Sequence, residues 1–433
     1  MRHWFKDQHM RSLLKNSSYL GASRIVAAIA SVATLAFTGR ALGVLLFGLL
    51  ILIHSYAQAA SSLSKFQSWQ IIVRYGGQGL AAGREDDFKV ATGFAFGLDL
   101  LSGFVGMLIA MAMLPFIGGW FGIPNQYILL AVLYCTVIPT MQAMTPGGVL
   151  RTLDRFDLIS WGGITYPIAR AILAGIAWAA HAPFEAYVAI WWVTDLGGDL
   201  YLWWLTRREL KRRGMADALR PILKPHPLKG AWKFAIRVNL ASSLNAAWGP
   251  IARLMVGGLL GPASAAFYRV AATLADSAQK PTDLLGRAFY PEVMRLDVKT
   301  KRPWKLMLRG AAIAAMFGLF AVLLVTVAGE ALIRLIFGAQ FLEAYPVLVV
   351  LIVAPLFTMA AFPFEPMLYA LGRSSAPLKA RLAGTIVYFI IIAPLTWRFG
   401  VSGAAAAFVL GTVVYVAGLG LQVWREYRRA RAA

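Results

Sequence analysis

Five arginines fall inside apolar stretches of this chain: Arg24, Arg170, Arg237, Arg253 and Arg269. A charge within a hydrocarbon layer is costly, so such residues face a bundle interior or water and mark either a functional path or a buried partner. A guanidinium presents a planar fork of donors that grips a compact polyanion through paired hydrogen bonds, which a lysine ammonium does not. Several of them around one cavity would suit a diphosphate. Asp99, Asp195, Asp199 and Asp276 share the apolar stretches. Asp195 and Asp199 are four residues apart and so share one helix face. Gly197 and Gly198 between them let a neighbouring helix come close. Two buried carboxylates resist ionising together, which suits binding of a proton or a cation. The competing reading is structural, each Asp neutralising an Arg across a helix interface.

The elements that must position these groups are membrane spans. Of the 433 residues 59% are apolar and 14% charged, and the mean hydropathy is +0.64. A soluble core could not hide that much apolar surface. Runs of about 20 apolar residues recur, the length that crosses a hydrocarbon layer. Their backbone groups must satisfy one another, so the runs are helices. They are continuous rather than alternating with period two, which argues against a barrel. The pattern predicts an all-α integral membrane protein with about twelve spans, near residues 18–38, 43–60, 89–115, 126–146, 158–180, 184–205, 232–260, 264–285, 307–328, 346–370, 378–397 and 401–422. The second is the least apolar, because His54, Ser55, Gln58 and Ser61 make its end polar. Pro139, Pro167, Pro250, Pro355 and Pro363 fall inside spans, where each favours a kink.

The net charge of +22 would suggest nucleic acid in a soluble chain. Here its distribution gives another cause. The N-terminal tail, the even-numbered connections (Lys65, Arg74, Arg84 and Lys89 in the first) and the C-terminal tail carry 32 Lys and Arg, and the odd-numbered connections carry only Arg40, Arg334 and Arg398. That asymmetry predicts both termini on the cytoplasmic side. The basic, proline-punctuated segment 207–229 divides the chain, giving an N-lobe at 1–206 and a C-lobe at 230–433 with six spans each. Gly39, Leu42 and Gly43 match Gly257, Leu260 and Gly261 at an offset of 218, and Leu150, Leu153 and Arg155 match Leu368, Leu371 and Arg373 at the same offset. The halves read as parallel repeats with a site between them at mid-depth.

Cys135 is the only cysteine, which excludes an intrachain disulfide. The five histidines show no zinc-like spacing, and there is no Gly-x-x-x-x-Gly-Lys loop for a nucleotide. No metal or cofactor is expected. A glycan polymerase or ligase would need a large external loop for its acceptor, and the longest external connection is about seventeen residues, so the chain reads as a non-enzyme.

The stretch Gly39-Arg40-Ala41-Leu42-Gly43 with Phe47-Gly48, and Gly147-Gly148-Val149-Leu150-Arg151-Thr152-Leu153-Asp154-Arg155-Phe156, resemble segments of the polysaccharide transporter family, the flippases of lipid-linked oligosaccharides. So do Val256-Gly257-Gly258-Leu259-Leu260-Gly261-Pro262 leading to Phe267-Tyr268, Ile336-Phe337-Gly338-Ala339-Gln340-Phe341 with Ala344, and Ala370-Leu371-Gly372-Arg373. The similarity runs over nearly the whole chain.

The resemblance implies two six-helix lobes around a central cavity, in the multidrug/oligosaccharidyl-lipid/polysaccharide exporter superfamily, working by alternating access. It implies a polyprenyl-diphosphate-linked oligosaccharide as cargo, moved outward across a bacterial inner membrane for surface polysaccharide such as lipopolysaccharide or exopolysaccharide. Its partners would be membrane lipids and the polysaccharide polymerase and export machinery, with no nucleic acid. Arg24 and Arg253, each in the first helix of its lobe, are the leading substrate residues, followed by Arg170, Arg237 and Arg269. Asp195, Asp199, Asp99 and Asp276 are the ion-coupling candidates. A cation-coupled multidrug exporter of the same superfamily is the alternative. It would use the acids, while the excess of intramembrane Arg weighs against it.

Overall fold

The computed structural model describes residues 8–141, 144–226, 228–295, 301–373 and 375–432. Among these the chain is helical, with no strand. Five helical stretches are long and apolar enough to cross a membrane: Ser23–Ala81, Glu85–Phe121, Arg302–Ile336, Ala344–Ala370 and Ser375–Arg429. The first and last run to 59 and 55 residues, well over twice what one crossing needs. Each is divided by one glycine with non-helical torsions, Gly43 (φ 69°) and Gly400 (φ 61°). Only glycine adopts that backbone without steric cost.

Twelve spans result, as the hydropathy pattern predicts. In chain order they are α1 (8–42), α2 (44–64 continued by Trp69–Ile71, Ile72–Gly76 and Gly77–Ala81), α3 (Glu85–Ile117) and α4 (Ile128–Tyr134, Cys135–Val137 and Met144–Thr152). Next come α5 (Phe156–Ala179), α6 (Phe184–Arg212), α7 (Ala231–Leu260), α8 (Pro262–Arg295) and α9 (Lys301–Ile336). The last three are α10 (Ala344–Leu351, Val353–Ala360 and Phe364–Ala370), α11 (375–399) and α12 (401–432). The breaks of α10 fall beside Pro355 and at Pro363, whereas Pro167 and Pro250 lie inside continuous helices.

The second span departs from the expectation. Instead of ending near residue 60, α2 breaks at 65–68 and resumes as helix to Ala81. The polar residues that make its end look like a boundary are an internal break. Lys65, expected in a basic cytoplasmic connection, is only 3% exposed.

The repeat in the sequence has a backbone basis. Gly43 joins α1 to α2 and Gly261 joins α7 to α8, both at positive φ (69° and 89°). Asp154 and Gly372 also share a left-handed torsion (57° and 71°). The Arg155 N–H donates to the Leu150 carbonyl and the Arg373 N–H to the Leu368 carbonyl, both at 2.8 Å. The 218-residue offset therefore preserves the helix-ending hydrogen bond as well as residue types.

The chain groups into two compact units, 1–42 with 49–254, and 43–48 with 255–433. This division differs from the expected one at the basic linker, because most of α7 groups with the first six spans. Ala231 and Ala235 are buried with Ile71, Phe94 and Leu98, and the Arg74 guanidinium lies 4.5 Å from the Phe234 ring centroid. In the second unit Phe289, Trp304, Met307, Met367, Leu368 and Leu419 form a buried cluster.

At one end of the first unit, Arg155 donates to Asp157 (2.8 and 2.9 Å) and pairs with Glu209, which also accepts from Arg213 Nε at 2.9 Å. The cluster ties the end of α4 to α5 and α6.

Candidate functional site

Two polar networks lie buried within the first unit. The first joins four helices. Arg170 on α5 pairs with Asp195 on α6, donates from Nε to Thr194 Oγ1 at 2.7 Å, and from Nη2 to the Trp191 carbonyl at 3.3 Å. Its guanidinium carbon stands 4.9 Å from the Trp191 ring centroid and 5.6 Å from that of Tyr166, within cation–π range. Tyr134 on α4 donates its hydroxyl to Asp195 Oδ2 at 2.6 Å. His54 on α2 brings Nε2 to 3.4 Å from the same oxygen. Protonated, that imidazole would be a second cation on Asp195. Arg170 and His54 are 8% and 7% exposed.

The α5–α6 contact that makes this possible depends on Gly198. A side-chain carbon there would come 2.5 Å from Tyr166 Cβ, while one at Gly197 would meet open space. Of the two glycines, Gly198 therefore allows the close approach. Asp199, one turn beyond Asp195, is half-buried.

The second network holds the break in α2. Asp99 on α3 is 4% exposed. It accepts from Ser68 Oγ at 2.6 Å on one oxygen, and from the Thr145 amide (2.9 Å) and hydroxyl (2.7 Å) on the other. Lys65 Nζ donates to the Met141 carbonyl at 2.5 Å and lies within Coulombic reach of Asp99 and Asp199. Non-helical backbone at membrane depth needs such partners, because lipid offers none. Lys65 and Asp99 supply them on α4, to the Met141 carbonyl and the Thr145 amide, while at the α2 break Asp99 holds the Ser68 side chain.

The remaining predicted residues are dispersed. Arg253 on α7 is 7% exposed and clasps α2, donating from Nε to Ser55 Oγ at 2.7 Å and from Nη2 to Gln58 Oε1 at 2.8 Å. Arg24 on α1 is exposed and within Coulombic range of Arg151 at the end of α4, which is also exposed. Arg151 places its guanidinium carbon 4.7 Å from the Trp69 ring centroid. Arg269 is half-buried and Asp276 exposed, both on α8 in the second unit. The side chain of Arg237 lies outside the described residues.

The structure thus joins Arg170 and Asp195, predicted for different roles, in one ion pair, the structural pairing that was the competing reading. Asp99 is held instead by Ser68 and Thr145. Sequence reasoning missed His54, Tyr134, Lys65 and Arg151 as members of these groupings. The available signal was a histidine among the polar residues of the second span. For Arg151 the signal was a basic residue at a span end beside Gly147 and Gly148.

Comparison with known proteins fits this architecture. Residues 13–294 match the family model described as polysaccharide biosynthesis protein. The inner membrane protein YghQ of Escherichia coli strain K12 is 39% identical over 347 residues, covering 80% of this chain and 98% of that protein. Among solved structures, the inward-facing form of a multidrug resistance MATE family transporter of the MOP superfamily aligns with a TM-score of 0.71 at 16% identity, over 97% of this chain and 98% of that one. A MOP superfamily transporter from Pyrococcus furiosus, described as having a binding pocket of reversed polarity, aligns with a TM-score of 0.63 at 13% identity, over 97% and 96%. At those identities the structures establish the fold, and the family model with the E. coli relative establishes the lineage: the chain belongs to the polysaccharide transporter family, the polysaccharide biosynthesis proteins, and shares the twelve-helix fold of those solved transporters.

Proposed function

We propose that this protein is a flippase that moves a polyprenyl-diphosphate-linked oligosaccharide from the cytoplasmic to the outer leaflet of a bacterial inner membrane, with both termini cytoplasmic. The observation that supports the reading is the placement of two exposed guanidiniums, Arg24 and Arg151, within electrostatic range of one another. Like charges held together are unfavourable unless an anion joins them, and a diphosphate is matched to paired guanidinium forks. Arg253 is a further contributor from α7. Moving about two negative charges outward across an inside-negative membrane is favourable by about 4–5 kcal/mol per 100 mV. A cation exporter is the weaker reading, because Asp99 is engaged by Ser68 and Thr145 within the first unit.

The test is a strain lacking the gene, assayed for surface glycan and for lipid-linked saccharides. Loss of glycan with accumulation of the complete lipid-linked unit is the expected result. Finished units outside the membrane with short or unattached chains would indicate a polymerase or ligase instead. Unchanged glycan with new sensitivity to cationic drugs would indicate an exporter.

Coupling, where transport uses an ion gradient, is assigned to Asp195 and Asp199 with His54 as the protonatable neighbour. Histidine titrates near neutral pH, and Asp195 is already held by Arg170. Asp276, exposed on α8, is a lesser candidate. Replacing His54→Gln together with Asp199→Asn is expected to flatten the dependence of flipping on a pH gradient in proteoliposomes. An unchanged dependence would make the group purely structural.

A further inference from the structure

The connection between α6 and α7 is bound along its length to the helices beneath it. The Ile222 amide donates to the Gly93 carbonyl of α3 at 3.0 Å. That approach needs glycine on α3. A side-chain carbon at Gly93 would overlap the Arg220 carbonyl oxygen at 2.5 Å, and one at Gly97 would overlap that of Ile222. Lys89 on α3 pairs with Asp217 at 3.0 Å, and the Tyr75 hydroxyl donates to the Lys229 carbonyl at 3.3 Å. Leu228 is buried with Ile71, Phe94 and Leu98. The connection is therefore a strap laid on α2 and α3, and its outward side chains stand on a fixed backbone.

The strap encloses a pocket of about 300 Å³. Leu223, Leu228 and Trp232 give it an apolar wall, and Lys224 and His226 a basic one. The turn around it is closed by Trp232 Nε1 donating to the Leu223 carbonyl at 3.1 Å and by the Leu228 amide donating to the Pro225 carbonyl at 3.0 Å. No carboxylate lines it. The sequence has no Asp or Glu between Asp217 and Asp276, while Arg220, Lys224, Lys229, Lys233 and Arg237 all fall in that interval. Asp217 itself is taken up by Lys89. The pocket complements an anion. Its open side is apolar: Leu223 and Trp232 are 42% and 40% exposed, and Ile236, one turn further along α7, is 56% exposed. Tryptophan between a cationic loop and the apolar part of a span stands at headgroup depth. A free phosphate would use the cations and leave Leu223 and Trp232 uncovered, whereas a phospholipid covers both.

We propose that this pocket binds the headgroup of an anionic phospholipid, with Lys224 and His226 on its phosphate and Leu223 and Trp232 against its glycerol and upper acyl chains. The site concerns the lipid around the protein rather than its cargo, and stands independently of the flippase reading.

The test uses the full-length protein in phosphatidylcholine nanodiscs containing a minor fraction of radiolabelled phosphatidylglycerol. A photoreactive p-benzoylphenylalanine is placed at Leu223 in the pocket, or at Leu308, an exposed apolar residue between Lys305 and Arg309 near the start of α9. A cation at the membrane surface raises anionic-lipid occupancy about fivefold. Lys224→Gln is therefore expected to lower the phosphatidylglycerol adduct at Leu223 by about fivefold and to leave that at Leu308 unchanged. Lys211→Gln removes the same charge from the exposed end of α6 and is expected to change neither. Both lysines are exposed, so neither substitution threatens folding. Millimolar inorganic phosphate should not displace the adduct. Native mass spectrometry of the protein without a photoprobe gives an independent reading: wild type should retain phosphatidylglycerol in preference to phosphatidylcholine, and Lys224→Gln should lose that preference. Equal losses from Lys224→Gln and Lys211→Gln would mean diffuse attraction to the surface. Displacement by inorganic phosphate would mean a site for the free anion. Either result, or equal retention of the two lipids by wild type, overturns the proposal.

Discussion

Replacing Arg170 with alanine is expected to lower the stability of the detergent-solubilised protein by about 3–5 kcal/mol, the cost of leaving a buried charge without its partner. The magnitude discriminates between mechanisms. Neutral hydrogen bonds between membrane helices average about 0.6 kcal/mol, so the bonds to Thr194 and Trp191 alone could not produce such a loss. The stranded Asp195 carboxylate could. The double variant Arg170→Met with Asp195→Leu, which removes both charges and keeps apolar volume, should recover most of the stability. Denaturant titration of the single and double variants is the measurement. A loss under about 1 kcal/mol for Arg170→Ala would mean the pair contributes no more than an exposed one.

Arg24→Ala should behave in the opposite way. Each charge-assisted hydrogen bond to an anion is worth about 1.5–3 kcal/mol, so losing one set of contacts to a diphosphate lowers transport by about 10- to 150-fold. Stability without substrate should hold steady or rise slightly, since the variant relieves the repulsion between Arg24 and Arg151. Arg151→Ala should reproduce both effects. The measurement is flipping of a lipid-linked saccharide in proteoliposomes at matched protein content, with denaturant titration alongside. Near-normal flipping by both variants would remove the pair from the substrate path. The two predictions together separate a scaffold arginine from a ligand arginine: one variant loses stability, the other loses only transport.

The contrast also explains what was legible in the sequence. The twelve spans could be read because burial in lipid is selected residue by residue, and a run of apolar side chains carries that information locally. The repeat was visible because a positive φ at Gly43 and Gly261 restricts residue type at one position. The ion pair was visible only as a possibility. Arg170 and Asp195 lie in adjacent helices, and whether their faces meet depends on Gly198, whose absent side chain sets the α5–α6 approach. The full length of α2 could not be read at all. Ser61, Ser64, Lys65 and Ser68 have the composition of a helix end, and what makes them an internal break is a carboxylate 31 residues away, Asp99 accepting from Ser68. Polar residues announce that a partner is needed without naming it.

That same break constrains how the chain is made. Lys65 and Asp99 each oppose insertion by about 2.5–3.5 kcal/mol when placed alone at the centre of a span. Their partners come later in the chain: Met141 emerges from the ribosome 76 residues after Lys65, and Thr145 46 residues after Asp99. The latter half of α2 therefore cannot settle in the bilayer by itself as it is synthesised. It waits, in the translocon or at its edge, until α3 and α4 arrive, so that these three helices enter the lipid as a single cohort rather than one after another.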